Sequence, residues 1–202
     1  LIAGGIQSYL LTSIFRSLAS AELYDPSTGT FTATGFMTTA CFLHTATLLP
    51  TGQVLIAGGE SNGDPSGDYE RCSSQLYEPA TGKFEATGSI ATVQLLPTAT
   101  LLTDGTVLVA SRNSAPSAGS APATSEIYDP FTGEFSPNGA GEGMFVGHTA
   151  TLLPDGKVLL AGGGATGDSG PVFASAILYD PASGQFTANE GWSRPRSWHA
   201  AS

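Results

Sequence analysis

Short apolar segments, separated by turns rich in glycine and proline, recur along the whole chain. Residues Val54–Ala57 are apolar at every position, and so are residues 107–110 and 158–161. A strand without a polar face is expected where other sheets cover it on both sides. No window of ten residues combines a 3.6-residue period with a helix cap. The pattern therefore predicts an all-β protein built from short strands.

Two motifs repeat in a fixed register. The first motif is Thr-Ala-Thr-Leu-Leu, followed by a turn and an apolar strand. It comes directly after His44 and His148, and it comes after Pro97 in the third repeat, where Thr follows the second Leu. The second begins at a tyrosine and ends at a phenylalanine, with tyrosine intervals of 53, 51 and 51 residues. Its aromatic residues are Tyr24, Tyr77, Tyr128, Tyr179, Phe31, Phe84, Phe135 and Phe186. Four-stranded units that repeat about every 50 residues are typical of propeller blades.

Each repeat predicts four strands and their turns. Strand one covers residues 45–49, and Thr51 with Gly52 predicts a two-residue hairpin with positive φ before strand two. A glycine doublet ends strand two, strand three ends at the tyrosine, and the phenylalanine lies on strand four. Between them, Asp-Pro-x-Thr-Gly predicts a turn in which the glycine takes the positive φ. We expect the tyrosine and phenylalanine to form a cross-strand aromatic pair.

With these features the sequence resembles the kelch family over essentially its whole length. The resemblance rests on the strand-three tyrosines, the strand-four aromatics and the doublets Gly4 and Gly5, Gly58 and Gly59, and Gly162 and Gly163. It departs from the family in having Phe where Trp is usual on strand four, as in a bacterial variant of the repeat. The third repeat also has Ser111 and Arg112 in place of the doublet.

The resemblance implies a kelch-type β-propeller of which about four blades are visible. We expect one propeller segment over residues 1–202, with a partial blade at 1–43, blades at 44–96, 97–147 and 148–198, and the start of another at 199–202. The chain begins within a strand two and ends within a strand one, so we interpret it as a fragment of a six- or seven-bladed ring. The alternative is a four-bladed ring closed by pairing of residues 199–202 with residues 1–5.

Charge narrows the range of partners. Seven basic and seventeen acidic residues give a net charge of −10, and only 12% of residues are charged. A protein that binds a nucleic acid backbone needs a basic stripe, and an anionic membrane surface would repel this chain. No apolar run approaches the length of a membrane-spanning helix. We therefore expect a protein or carbohydrate partner, with no nucleic acid and no membrane insertion.

The histidines do not predict a metal site. His44, His148 and His199 share one repeat register, at the start of strand one, so we expect a structural role, and Pro97 replaces histidine in the remaining repeat. The kelch fold also includes galactose oxidase, and that resemblance would imply a copper radical site with an adjacent Tyr-His pair. This chain contains no such pair. We expect no cofactor, and a copper oxidase whose ligands lie outside these residues remains an alternative.

Two cysteines occur at one end of the same predicted blade. Cys41 precedes strand one, and Cys72 lies in the loop between strands two and three, so a disulfide is compatible with their positions. Two free buried thiols are the alternative. A disulfide, together with low charge and abundant Ser and Thr, would fit an exported bacterial protein, secreted or at the cell surface.

The loops at the cysteine-containing end of the predicted blades indicate a binding face. Arginine and tryptophan are common binding anchors. This face contains Arg71, Arg112, Arg194, Arg196, Trp192 and Trp198. The alternative is that Trp198 and Arg196 only support the next blade. No nucleophile elbow or phosphate-binding loop occurs. We therefore predict a non-catalytic binding or scaffolding module, with the copper oxidase and a purely structural extracellular repeat as alternatives.

Overall fold

The computed structural model describes residues 1–8, 15–62, 70–91, 94–113, 123–139, 146–164 and 172–200. All regular secondary structure in these residues is β. The chain divides into two compact units, Leu1–Ser89 and Ile90–Ser202. Among the described residues, no helix of a length and apolarity suited to crossing a membrane occurs.

The first unit contains two repeats. Its strands are β1 (Ile2–Ala3), β2 (Ile6–Ser8), β3 (Phe15–Ser17), β4 (Ala21–Asp25), β5 (Thr30–Ala33), β6 (Thr45–Leu48), β7 (Val54–Ala57), β8 (Glu60–Ser61), β9 (Glu70–Arg71), β10 (Gln75–Glu78) and β11 (Lys83–Ala86). The first sheet has the order β1-β4-β5 and the second β11-β10-β7-β6. Pairs β2-β3 and β8-β9 form short ribbons in the segments after the glycine doublets, where the sequence predicted only loops.

The second unit contains two further repeats. Its strands are β12 (Gln94–Leu101), β13 (Val107–Asn113), β14 (Ala123–Asp129), β15 (Glu134–Pro137), β16 (Thr149–Leu152), β17 (Val158–Ala161), β18 (Ala176–Asp180) and β19 (Gln185–Asn189). The third sheet has the order β12-β13-β14-β15 and the fourth β16-β17-β18-β19. All of these pairings are antiparallel.

The missing glycine doublet lengthens the third sheet. In the other repeats the doublet ends strand two, but β13 continues through Ser111 and Arg112, which pair with Thr124 and Ala123 of β14. Leucine, valine, serine and arginine all accept extended backbone, so nothing in this segment forces the chain out of the ladder. The register shifts between Leu95 and Thr98, which places a bulge at Pro97 where a ladder N–H is absent.

The hairpin before strand two differs from the prediction. Leu49 N–H donates to Gln53 O at 2.8 Å and Gly52 N–H to Leu49 O at 2.9 Å, so the loop contains three residues, 50–52. Within that loop only Gly52 has a positive φ, +88°. The predicted two-residue loop was wrong because it would place β-branched Thr51 in the left-handed region, whereas a type I turn followed by glycine avoids this.

Each sheet places its tyrosine and phenylalanine as the sequence predicts. The four Tyr–Phe ring centroids lie 4.8 to 4.9 Å apart across neighbouring strands. In the first unit, Tyr77 and Phe84 pack with Ala21, Met37 and Ile56. In the second unit, the core is formed by Leu102, Leu108, Ala110, Val158, Leu160, Ile177 and Tyr179. The two cores therefore lie between the two sheets of each unit.

Candidate functional site

The glycine doublet of the fourth sheet is surrounded by the predicted binding residues. Gly162 has a φ of +69° and Gly163 a φ of +98°. Gly163 N–H donates to the Arg196 carbonyl oxygen at 2.9 Å. A Cβ on Gly162 would lie 2.5 Å from that oxygen and 2.7 Å from His199 Cε1. Glycine is therefore required here both by backbone conformation and by the close approach of the segment 192–199.

The side chains around this doublet contact one another. The Trp192 and His199 rings meet edge to face with centroids 4.8 Å apart. The Arg196 guanidinium carbon lies 5.0 Å from the Trp192 ring centroid, a cation–π arrangement. His199 Nε2 is 3.2 Å from Thr149 Oγ1. Among the described residues, Trp192 Nε1 and His199 Nδ1 are buried without a hydrogen-bond partner. We call Gly162, Gly163, Trp192, Arg196 and His199 the second glycine cluster.

The first unit contains the same arrangement with other side chains. Gly5 N–H donates to the Cys41 carbonyl oxygen at 2.8 Å. A Cβ on Gly4 would lie 2.5 Å from that oxygen, 2.8 Å from His44 Cε1 and 3.1 Å from Met37 Sδ. We call Gly4, Gly5, Met37, Cys41 and His44 the first glycine cluster. Because each position has its counterpart, the histidine and the carbonyl group serve the repeat in both units, which favours the supporting role considered for Arg196.

The histidines of the repeat are each held within the fold. His148 is buried, and its Nε2 lies 2.9 Å from Thr98 Oγ1. His199 makes the equivalent contact with Thr149 at 3.2 Å. Burial lowers the pKa of His44, and a hydrogen bond with the Ala3 backbone partly opposes this effect. Within the described parts of the chain, no group of three or more His, Cys, Asp or Glu side chains is arranged to hold a metal ion.

The first glycine cluster is covalently tied to a neighbouring loop. Cys41 and Cys72 form a disulfide with an S–S distance of 2.10 Å and a Cα–Cα distance of 5.9 Å. Both cysteines are buried, and Cys72 N–H donates to Gly59 O at 3.3 Å. Of the two alternatives that the sequence left open, the structure therefore shows the disulfide. The bond joins the connection before β6 to the segment after β9.

A left-handed residue precedes the histidine register in every repeat. Its φ is +58° at Leu43, +51° at Leu96, +72° at Gly147 and +57° at Trp198. Among the described residues, Leu43, Leu96 and Trp198 are the non-glycine positions with a positive φ. Such backbone costs about 1 kcal/mol or more for an ordinary side chain, so the surrounding structure must impose it.

Trp198 combines this constrained backbone with an open side chain. Its backbone N–H donates to the Gly147 carbonyl oxygen at 3.1 Å. Ring atoms Cδ2 and Cε2 lie 3.2 Å from the position that a Cβ on Gly147 would occupy. The residue is nevertheless 69% exposed. One part of the indole therefore rests on the glycine, and most of its surface remains accessible to a partner.

The remaining residues of the predicted face are distributed over the two units. Arg71 lies on β9 of the first unit and is exposed, whereas Arg194 and Arg196 are exposed in the second unit. Arg112 lies on β13, and its side chain is outside the described residues. The structure brings Trp192 and Arg196 together, and it places Trp198 on Gly147. The left-handed register was not predicted from the sequence, although Gly147 in that position was a usable signal.

These observations define an all-β protein whose four-stranded antiparallel sheets follow a propeller-like repeat. No protein-family model matches the sequence, and no curated protein does. By contrast, 146 chains of known structure match its fold. One of them is YjhT, with a TM-score of 0.73 and 12% sequence identity over 97% of this chain and 68% of YjhT. At that identity, the likeness shows the fold alone.

Proposed function

We propose that this chain is part of a kelch-type β-propeller, within a ring of six or seven blades, that acts as a non-catalytic binding module. It recognises a protein or glycan partner through the face that contains Trp198. The Cys41–Cys72 disulfide supports a further part of the proposal, that the protein is exported, because such bonds persist in oxidising compartments.

The observation that carries the proposal is the geometry of Trp198. A large aromatic side chain is 69% exposed on a backbone that has a φ of +57° and is fixed by the bond to Gly147. A rigid aromatic anchor loses little conformational entropy on binding, and its flat apolar surface suits either a sugar ring or an apolar side chain. The exposed arginines Arg194 and Arg196 supply hydrogen-bond donors in the same segment.

Fluorescence can test this proposal because the chain has only two tryptophans. The variant Trp192→Phe leaves Trp198 as the only indole, and Trp198→Phe leaves Trp192. A printed array of defined oligosaccharides and a peptide array serve as probes. We expect a probe that shifts the Trp198 emission saturably in the Trp192→Phe protein and leaves the emission of the Trp198→Phe protein unchanged.

An affinity measurement completes the test. Trp198→Ala should weaken binding of that probe by roughly tenfold or more, as expected for an aromatic anchor. Phe131→Ala is the matched control, because Phe131 is 90% exposed on the turn of the third sheet. Equal affinity of the Trp198→Ala and wild-type proteins for the probe would contradict the proposal, and so would the absence of any saturable probe.

A further inference from the structure

Position 147 holds glycine in a register that the other three repeats fill with larger residues. The φ of Gly147 is +72°, close to the +58° of Leu43, the +51° of Leu96 and the +57° of Trp198. Leucine and tryptophan therefore adopt this left-handed backbone elsewhere in the chain, because the surrounding repeat imposes it. A positive φ alone does not explain why position 147 is a glycine.

The indole of Trp198 supplies the explanation. A Cβ on Gly147 would lie 3.2 Å from Cδ2, 3.2 Å from Cε2 and 3.5 Å from Cε3 of Trp198, and these are the three atoms nearest to it. Carbon atoms pack best at about 3.5 to 4.0 Å, so a real Cβ would crowd the ring and push it away. Position 147 must therefore lack a side chain if the indole is to stay where it is.

The ring atoms in this contact show that Trp198 lies on Gly147 by the face of its indole. Cδ2 and Cε2 form the bond that the two rings share, and each is bonded only to other ring atoms. Because these atoms cannot be approached within the ring plane, Gly147 lies above that plane. An aromatic face carries partial negative charge and attracts the C–H groups of a glycine. The Trp198 backbone N–H also donates to the Gly147 carbonyl oxygen at 3.1 Å.

The exposure of this register belongs to the repeat itself. Leu43 holds the register ahead of β6 and is 46% exposed with the second sheet in place. Trp198 is 69% exposed in the same register. With one face of the indole on Gly147, the accessible surface of Trp198 includes the opposite face. The orientation of the ring therefore decides which aromatic surface a partner meets.

We propose that Gly147 is a positioning residue of the binding site, which fixes the orientation of the Trp198 indole. This inference rests on the proposed binding role of Trp198, and it adds a residue from the preceding repeat to the same site. Positions 147 and 198 then form a coupled pair, in which the large ring at 198 requires glycine at 147. Leu43 and Leu96 show the alternative, two side chains of intermediate size in successive repeats.

The proton chemical shifts of Gly147 test the contact without any destabilising substitution. A proton above the face of an aromatic ring is shielded, so the Gly147 Hα that points at the indole should resonate upfield. This upfield shift should disappear in the Trp198→Leu protein. Gly139 is the matched reference, because its φ is +93° and nothing lies within 4 Å of an added Cβ. A Gly147 Hα shift that is the same in both proteins would overturn the proposal.

Urea unfolding shows whether the indole or the backbone constrains position 147. Gly147→Ala should lower the unfolding midpoint more than Gly139→Ala, which adds a Cβ at positive φ in open space. In the Trp198→Leu background, the loss caused by Gly147→Ala should fall to that of Gly139→Ala, because the crowded ring is gone. An equal loss in both backgrounds would mean that Gly147 serves only the backbone, and the proposal would be wrong.

An affinity measurement connects the orientation of the indole to recognition. The probe is the array oligosaccharide or peptide that shifts the Trp198 emission of the Trp192→Phe protein. Gly147→Ala should weaken binding of this probe by roughly tenfold although Trp198 is still present. Gly139→Ala is the matched control and should bind the probe as the wild type does.

The outcomes distinguish this inference from the proposed function. If Gly147→Ala binds the probe as tightly as the wild type, Gly147 does not position the anchor for recognition, and the inference fails while Trp198 keeps its role. If no array probe binds, the proposed function fails. In that case the Gly147 Hα shift and the urea series still decide whether Gly147 orients the indole.

Discussion

The two glycine clusters share a backbone arrangement and differ in what their side chains do. In both, a glycine N–H donates to a carbonyl oxygen and a histidine lies against the first glycine. In the first cluster, Met37 and Cys41 are buried and Cys41 is bonded to Cys72. In the second, Trp192 is half-buried and Arg196 is exposed over its ring.

The difference shows that the repeat constrains backbone atoms more strongly than side chains at these positions. A carbonyl oxygen is available from any residue, so positions 41 and 196 can hold a cysteine in one unit and an arginine in the other. In the first cluster, the side chain at position 41 forms a covalent bond. In the second, position 196 holds an exposed cation that lies over the Trp192 ring, in the same segment as the proposed binding residue Trp198.

The largest expected difference between the clusters comes from the disulfide. Replacing both Cys41 and Cys72 with Ala should lower the free energy of unfolding of the first unit by about 4 kcal/mol, because the bond closes a loop of 31 residues. Urea unfolding of the variant and the wild type measures this loss. Dithiothreitol should shift the wild-type transition and leave the variant unchanged. A loss below about 1 kcal/mol would contradict the prediction.

The glycines should show that both clusters depend on close backbone approach. Gly4→Ala and Gly162→Ala each add a Cβ 2.5 Å from a carbonyl oxygen at a φ of +65° or +69°, and each should cost about 3 kcal/mol. Gly52→Ala is the matched control, since its φ is +88° but nothing lies within 4 Å of its Cβ. It should cost only about 1 kcal/mol in the same urea measurement. Equal losses at positions 52 and 162 would contradict this account.

A smaller effect should depend on pH and on His44. Burial lowers the pKa of His44 in the folded protein, so its neutral form is favoured there. The stability that neutral His44 contributes to the folded protein is fully present above its unfolded pKa of about 6.5. That stability is lost as the pH falls through the lower pKa of the folded state. Unfolding measured at successive pH values should show this loss in the wild type. The profile of His44→Gln should be flatter over the same interval, and an unchanged profile would exclude His44 as its source.

The smallest expected effect concerns the Arg196 side chain. Arg196→Ala removes the guanidinium over Trp192 but keeps the carbonyl oxygen that accepts from Gly163 N–H. The free energy of unfolding should therefore fall by only about 0.5 kcal/mol. Arg196→Lys should retain part of this cation–π stabilisation. Comparison with Gly162→Ala in one urea series separates side-chain from backbone contributions. A loss as large as that of the glycine variant would show that the side chain, too, is structural.

Most of the fold could be predicted from the repeat because both glycine and aromatic positions report backbone geometry directly. Tyr77 and Phe84 flank a turn that fixes their cross-strand register, so their pairing followed from the motif alone. The ribbons β2-β3 and β8-β9 could not be predicted, because their short segments lack a clear alternation of polar and apolar residues. The hairpin at Gly52 was misassigned because one glycine signal fits two loop lengths.

The candidate site was less predictable, since it depends on contacts between distant segments. The Cys41–Cys72 bond required the conformation of a loop whose sequence has no counterpart in the other repeats. The packing of Arg196 on Trp192 required the path of residues 192–199 over Gly162. Even so, comparison of Met37, Cys41 and His44 with Trp192, Arg196 and His199 at equal spacing was a usable signal in the sequence.

The left-handed position before the histidine register has a consequence for sequence divergence. At Leu43 and Trp198, the backbone strain is nearly the same for most side chains, because the repeat rather than the side chain imposes the conformation. Both side chains are also exposed. A substitution there therefore changes what the surface presents while leaving the cost of folding almost constant. Natural variation or a randomised library can therefore change the side chains exposed at these positions one repeat at a time.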